Sequence, residues 1–205
     1  MITLVDYGAG NVRSVAKALE AVGARVHLSS IAADVRRAEK IVLSGVGAFG
    51  DCITSLRRRG LVRPLQEAIA DGIPLLGICV GMQVLFAEGE ELGLHEGMAA
   101  LPGRVVRLPA RLVAEGLKIP HTGWNQIWPQ RASPLFHSLS PGCWAYFNHA
   151  YYCEADGRDV LASCDYGIAI PAAVGRDSVF GVQFHPEKSQ QNGLLVLRNF
   201  VEEIP

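Results

Sequence analysis

Ile73-Pro74-Leu75-Leu76-Gly77-Ile78-Cys79-Val80-Gly81-Met82-Gln83-Val84-Leu85-Phe86 is the stretch on which the reading of this chain turns. The apolar run Leu75–Ile78, bounded by proline and glycine, reads as a buried strand. Gly81–Phe86 reads as a helix. Between them stands a cysteine with glycines two residues before it and two after, which lets the chain turn sharply from strand to helix. That is the pattern of a nucleophile elbow, with a thiol in place of the usual hydroxyl. Placed near a helix N-terminus, Cys79 meets free N–H groups and a dipole that favour its thiolate. If the thiolate attacks a carbonyl, the N–H of Val80 is a natural donor to the oxyanion that forms.

Upstream, strand and helix alternate. Ile2–Asp6, Ala24–Leu28 and Lys40–Leu43 are short apolar strands. Asn11 is placed to cap a helix that carries Val12, Val15, Ala16, Leu19 and Val22 on one face and stops at Gly23. Further helices are expected around Asp51–Arg58 and Leu61–Ala70. This order implies a parallel sheet covered on both faces. Gly45-Val46-Gly47-Ala48-Phe49-Gly50 formally matches a dinucleotide-binding fingerprint, but it follows the third strand, whereas that reading wants it after the first. It reads better as a glycine-rich strand end whose backbone N–H groups, such as that of Val46, approach a reacting oxygen as the second donor beside Val80.

Downstream, Val105–Leu108, Trp124–Trp128, Trp144–Tyr152, Val160–Ser163, Ile168–Val174 and Val179–Phe184 read as short strands, suited to antiparallel meanders added to the sheet. A last helix, Gly193–Glu203, carries Leu194, Leu197, Val201 and Ile204 at helical spacing. No repeat or linker divides residues 1–205, which read as a single domain. Near the end stands Gln183-Phe184-His185-Pro186-Glu187-Lys188. Residues i and i+2 of an extended segment point to the same side, so Glu187 can orient His185, and His185 can serve Cys79 as base. A lone buried cysteine or a lone His-Pro-Glu is ordinarily packing or a turn. Two glycines at fixed offsets together with a His-x-Glu at a strand end are hard to explain that way.

Composition narrows the classes. The chain has 205 residues, 49% of them hydrophobic and 19% charged, as a globular protein with a sizeable core requires. A net charge of −1 gives no electrostatic case for nucleic acid or an anionic membrane. Five widely spaced cysteines argue against a disulfide framework. The first residues lack the basic and long apolar segments of a signal peptide, and no apolar run approaches membrane-spanning length, so a reducing cytoplasmic location is expected. The histidines lack metal-ligand spacing. His149 and Cys153 are four apart, too far to share a metal easily along a strand, and neither a metal nor a cofactor is expected.

Gly77-Ile78-Cys79-Val80-Gly81-Met82-Gln83 with Phe184-His185-Pro186-Glu187 resembles the triad glutamine amidotransferases. Asp6-Tyr7-Gly8-Ala9-Gly10-Asn11-Val12-Arg13-Ser14, Gly45–Gly50, His121-Thr122-Gly123-Trp124-Asn125, Tyr146-Phe147-Asn148-His149-Ala150-Tyr151-Tyr152 and the ending His185-Pro186-Glu187-Lys188-Ser189 narrow the resemblance. They are similar to motifs of the glutaminase subunits of imidazole glycerol phosphate synthase. The resemblance implies a flavodoxin-like α/β fold, with a central mostly parallel sheet, flanking helices and added antiparallel strands. It implies hydrolysis of L-glutamine to glutamate and ammonia, and a heterodimer with a (β/α)8-barrel cyclase subunit. The partner uses the ammonia to make imidazole glycerol phosphate and an aminoimidazole carboxamide ribotide. By the same resemblance Cys79 is the nucleophile, His185 the base and acid, and Glu187 its orienter. Gln83, Glu91 and the backbone of His149, Ala150 and Tyr151 hold the amino-acid end of the substrate. Asn11, Trp124, Tyr146 and Lys188 correspond to positions at the cyclase interface. The chain departs from the family pattern at Ser44, where a proline is usual, and at Ala150, where a serine is usual. Two other readings are a glutaminase subunit serving a different synthase and a non-catalytic partner that only docks and regulates.

Overall fold

Five strands drawn from both ends of the chain lie parallel, so that their carboxyl ends meet at one rim. The computed structural model describes residues Met1 to Pro205. β1 (Ile2–Val5), β2 (Val26–Ser29), β3 (Lys40–Gly45), β4 (Leu75–Cys79) and β13 (Val179–Val182) stand in the order β2-β1-β3-β4-β13, every neighbouring pair parallel. β1 and β4 are buried at every position, as strands covered on both faces must be. The crossovers are α1 (Val12–Ala21), α2 (Ala32–Arg36), and α3 (Phe49–Arg58) with α4 (Val62–Ala70). In α1 the apolar spacing seen in the sequence buries Val15, Ala18 and Leu19, but the Asn11 side chain makes no capping bond. In a doubly wound sheet of this order, ligands bind beyond the carboxyl ends of the strands.

Beyond β13 the sheet continues antiparallel through β12 (Ala169–Arg176), β11 (Val160–Asp165), β8 (His121–Pro129) and β9 (Cys143–His149), nine strands in all. The remaining strands form a second sheet that the sequence reading did not separate. It contains β5 (Phe86–Gly89), β6 (His95–Glu96), β7 (Leu101–Arg107) and β10 (Tyr151–Ala155), in the order β10-β7-β5-β6. The expected single strand Trp144–Tyr152 is therefore two strands in two sheets. The break falls at Ala150, whose carbonyl accepts the Leu108 N–H at 2.9 Å, just before the short helix α6 (Arg111–Ala114).

The helix expected over Gly81–Phe86 is a single turn, α5 (Val80–Gln83), and Phe86 already begins β5. Competition for carbonyls explains the stop. Those of Val84, Leu85 and Phe86 accept N–H groups from Met98, Ala100 and Ala99, so none is left to extend the helix. The C-terminal helix α7 (Gln190–Glu202) turns the expected residues inward, with Leu197 and, just past its end, Ile204 buried and Leu194 and Val201 packed against the core. It also buries Gly193, Val196 and Phe200. Lys40 Nζ donates to the Phe200, Val201 and Ile204 carbonyls and so tethers the end of α7 to β3. One apolar core runs under both sheets, with Tyr7, Phe49, Phe86, Phe147, Phe184 and Phe200 among its largest fully buried side chains. No helix is long and apolar enough to cross a membrane.

Candidate active site

The elbow at Cys79 exists because two glycines permit it. A β-carbon on Gly81 would lie 1.8 Å from the Leu43 carbonyl oxygen, and one on Gly77 would lie 2.6 Å from the Gly81 carbonyl oxygen. The turn brings α5 back against β3 and β4 more closely than any side chain would allow. Cys79 itself has φ +55° and ψ −115°, a left-handed conformation that costs a non-glycine residue roughly 1–3 kcal/mol and clusters at functional sites. Its side chain is buried, at 3% exposure, and opens only on the cavity described below. Because α5 has four residues, the dipole expected to act on the thiol is small. What the turn does supply is the N–H groups of Val80 and Gly81, which have no partner within a single turn of helix.

His185 follows the end of β13, the parallel neighbour of β4, so the register of the sheet carries it to Cys79. Its Nδ1 lies 2.9 Å from Glu187 Oε1, with side-chain exposures of 3% and 0%. The carboxylate accepts Nδ1–H, which leaves Nε2 for Cys79. Burial alone would lower the pKa of His185, but hydrogen bonds to Cys79 and Glu187 and the charges of both overcome it and raise the pKa to about 9. The imidazole is thus built to hold a proton beside the Cys79 sulfur. Its main chain is clamped as well. The His185 N–H donates to the Tyr146 carbonyl at 2.8 Å, and the buried Ser189 hydroxyl donates to the His185 carbonyl at 2.6 Å and accepts the Tyr146 N–H at 2.9 Å.

A cavity of about 300 Å³ opens over these residues, lined by Val46, Gly47, Cys79, Val80, Gln83, Glu91, Pro120, Asn148, His149, Ala150, Tyr151 and His185. Every residue read from the sequence as catalytic, oxyanion-stabilising or substrate-binding lines it except Glu187, which stands behind His185. Gln83 Nε2 donates to the Tyr151 carbonyl and to Gln183 Oε1, both at 3.0 Å, so both amide protons are used and only its oxygen is left for a ligand. Glu91 Oε2 accepts the Phe49 N–H at 2.8 Å, tying the carboxylate to the start of α3, and burial raises its pKa. The glycine-rich segment read from the sequence as oxyanion-stabilising continues from the end of β3, whose Gly45 is in register with Cys79. There Cys52 Sγ donates to the Val46 carbonyl at 3.5 Å, and Gly47 takes φ +98°.

Two residues that the sequence reading left without a role stand behind the residues that line the cavity. Gln183 Nε2 lies 3.8 Å from Cys79 Sγ; its place two residues before His185, on the same side of an extended chain, was the available signal. His121 packs between Phe147 and Tyr166, and its Nδ1 lies 3.1 Å from His149 Nε2. His149 Nδ1 lies 2.9 Å from the Tyr151 carbonyl and must donate to it. Its Nε2 therefore accepts from His121, which fixes both tautomers. Burial pushes the pKa of His121 down to about 4 and that of His149 to about 3, so both stay neutral beside the charged His185.

Of the four residues expected at a partner interface, three meet on one patch. Trp124, 44% exposed, packs edge-on to Tyr146, the Lys188 ammonium sits 5.6 Å from the Tyr146 ring centre, and that ring lies 6.4 Å from the His185 ring. Asn11 is half-buried at the start of α1, a helix that packs beside the Pro186–Lys188 turn.

Residues 3–204 match the family model described as glutamine amidotransferase class-I. The subunit HisH of imidazole glycerol phosphate synthase from Syntrophotalea carbinolica is 50% identical over 203 residues, covering 98% of each chain. The one from Salinibacter ruber is also 50% identical, covering 98% of this chain and 93% of its own. Among solved structures, a glutamine amidotransferase aligns with a TM-score of 0.76 at 19% identity, covering 98% of both chains. A chain of PurLQS from Thermotoga maritima aligns at 0.73 and 19%, covering all of this chain and 98% of its own. At that identity these two structures speak for the fold alone.

Proposed function

Because the chain belongs to the class-I glutamine amidotransferases, and among them to the HisH subunits of imidazole glycerol phosphate synthase, we propose that it cleaves the glutamine side-chain amide at Cys79 and passes the ammonia to a barrel cyclase in a heterodimer. The observation that carries this reading is the buried Cys79–His185–Glu187 arrangement at the floor of a small polar cavity. The lyase chemistry of such a synthase belongs to the partner subunit.

The amino-acid end of glutamine binds first. Its ammonium fits Glu91 and the free oxygen of Gln83, and its carboxylate fits backbone N–H groups of His149–Tyr151. The side-chain amide then reaches Cys79. The thiolate attacks the amide carbon, and the carbonyl oxygen takes the negative charge. The Val80 N–H and the Val46 N–H stabilise that oxyanion. His185, protonated and held by Glu187, gives its proton to the nitrogen, and the carbon–nitrogen bond breaks to release ammonia and leave a thioester. Water, deprotonated by His185, hydrolyses the thioester to glutamate and restores the thiolate. Trp124, Tyr146 and Lys188 form the partner-facing patch, with Asn11 beside the same turn.

The fifty per cent identity to subunits of one synthase favours that synthase over a different one, and the intact triad favours catalysis over mere docking. The deciding experiment is Cys79→Ala in the assembled complex. Glutamine-dependent synthesis should vanish while synthesis from free ammonia continues. Glutamine turnover near wild type in this variant would overturn the assignment of the nucleophile.

A further inference from the structure

Two buried side-chain atoms in this molecule lack a well-formed hydrogen bond, Glu187 Oε2 and Tyr7 Oη, the latter having only the weakly accepting Cys52 sulfur beside it. The first belongs to the triad. The second has no part in the chemistry above, although Tyr7 is fully buried and a buried hydroxyl without a good partner is costly. A phenylalanine would pack in the same place without that cost, so packing does not account for the hydroxyl. Its location does. Tyr7 follows β1, the parallel neighbour of β3, and its main chain is pinned by the Ser55 hydroxyl, which donates to the Tyr7 carbonyl at 2.5 Å. Tyr7 Oη comes within 2.7 Å of where a β-carbon on Gly45 would be, and the Gly81 nitrogen within 2.8 Å of the same point. The hydroxyl therefore stands against the oxyanion strand and the back of the elbow.

The Gly45 carbonyl and the Val46 N–H belong to one peptide unit and point in opposite directions. For that N–H to face the reacting oxygen, the carbonyl must face the protein interior, where it needs a donor. The nearby Cys52 thiol is already engaged with the Val46 carbonyl. We propose that Tyr7 is a positioning residue for the oxyanion strand: its hydroxyl is the donor that receives the Gly45 carbonyl when the Gly45–Val46 peptide turns its N–H towards the reacting amide. Burial, with the Cys52 and Cys79 thiols adding to it, holds the Tyr7 pKa well above that of a free phenol, so the hydroxyl keeps its proton across the working pH range. The inference rests on the glutaminase reading of the site.

The test is Tyr7→Phe in the full chain complexed with a barrel cyclase. The variant should melt at the wild-type temperature or higher, because a poorly paired hydroxyl is gone. Its kcat for glutamine should fall roughly tenfold with KM unchanged, the factor that one hydrogen bond of about 1.4 kcal/mol carries. An aldehyde analogue of glutamine that traps Cys79 as a hemithioacetal should bind weaker by the same factor, and ammonia-dependent synthesis should not change. A kcat within twofold of wild type, a rise in KM alone, or a loss that follows a lowered melting temperature would each overturn the proposal. Cys79→Ala, assayed alongside, separates the two claims. If it stays active, the glutaminase reading itself fails; if it is dead while Tyr7→Phe is fully active, only the role of Tyr7 fails.

Discussion

At the scale of single residues the site is a set of conflicts resolved by close contact. Cys79 sits in a left-handed conformation that glycine would adopt freely. Replacing it by glycine should therefore leave the protein about 1 kcal/mol more stable than replacing it by alanine, the reverse of the usual order inside regular structure. Denaturant titration of the two variants checks this. His185 gives a second prediction. Its pKa is raised from 6.5 to about 9, so its stabilising interactions are complete below 6.5 and are lost as pH rises through 9. Glutamine turnover should decline over the same upper range as the proton for the departing ammonia is lost. In Cys79→Ala the partner is gone, and an NMR titration of His185 should show a midpoint well below 9. Cys79, His185 and Glu187 were legible in the sequence because glycine spacing and strand alternation are local signals. Gln183, His121 and the Tyr7 hydroxyl were not, because their meaning lies in contacts with residues far along the chain, such as Gln83 with Gln183.

At the scale of elements, the βα alternation of the first half was legible because buried parallel strands are continuous apolar runs. The second sheet was not. β6 has two residues, and β5 begins inside an apolar run that reads equally well as helix. The break at Ala150 is likewise invisible to periodicity, since β9 and β10 are both apolar and aromatic and no glycine or proline marks the passage. The β8–β9 ladder has a functional consequence. It pairs His121 with His149 at the cavity end and Trp124 with Tyr146 on the exposed patch. Trp124→Ala should weaken binding of the cyclase about tenfold or more, as loss of an aromatic anchor at an interface does, and calorimetric titration of the two subunits measures it.

At the scale of the whole molecule, one apolar core lies beneath both sheets, and we take residues 1–205 as a single folding unit. Thermal unfolding should then be one transition, with far-ultraviolet circular dichroism and tryptophan fluorescence coinciding; two separated transitions would divide the chain. The clamp around His185 bears on a different property of the protein, its solubility. β9 is the last strand of the nine-stranded sheet, and an uncovered outer strand invites pairing with another chain. No further strand covers it. The covering groups are the His185 N–H and Ser189 hydroxyl on Tyr146, and the Asn192 amide on the Trp144 carbonyl. The turn that aims the imidazole is therefore also the guard on the rim of the sheet. Substitutions that loosen it to retune catalysis would expose a ready template for aggregation, so this stretch is constrained by colloidal behaviour as well as by chemistry.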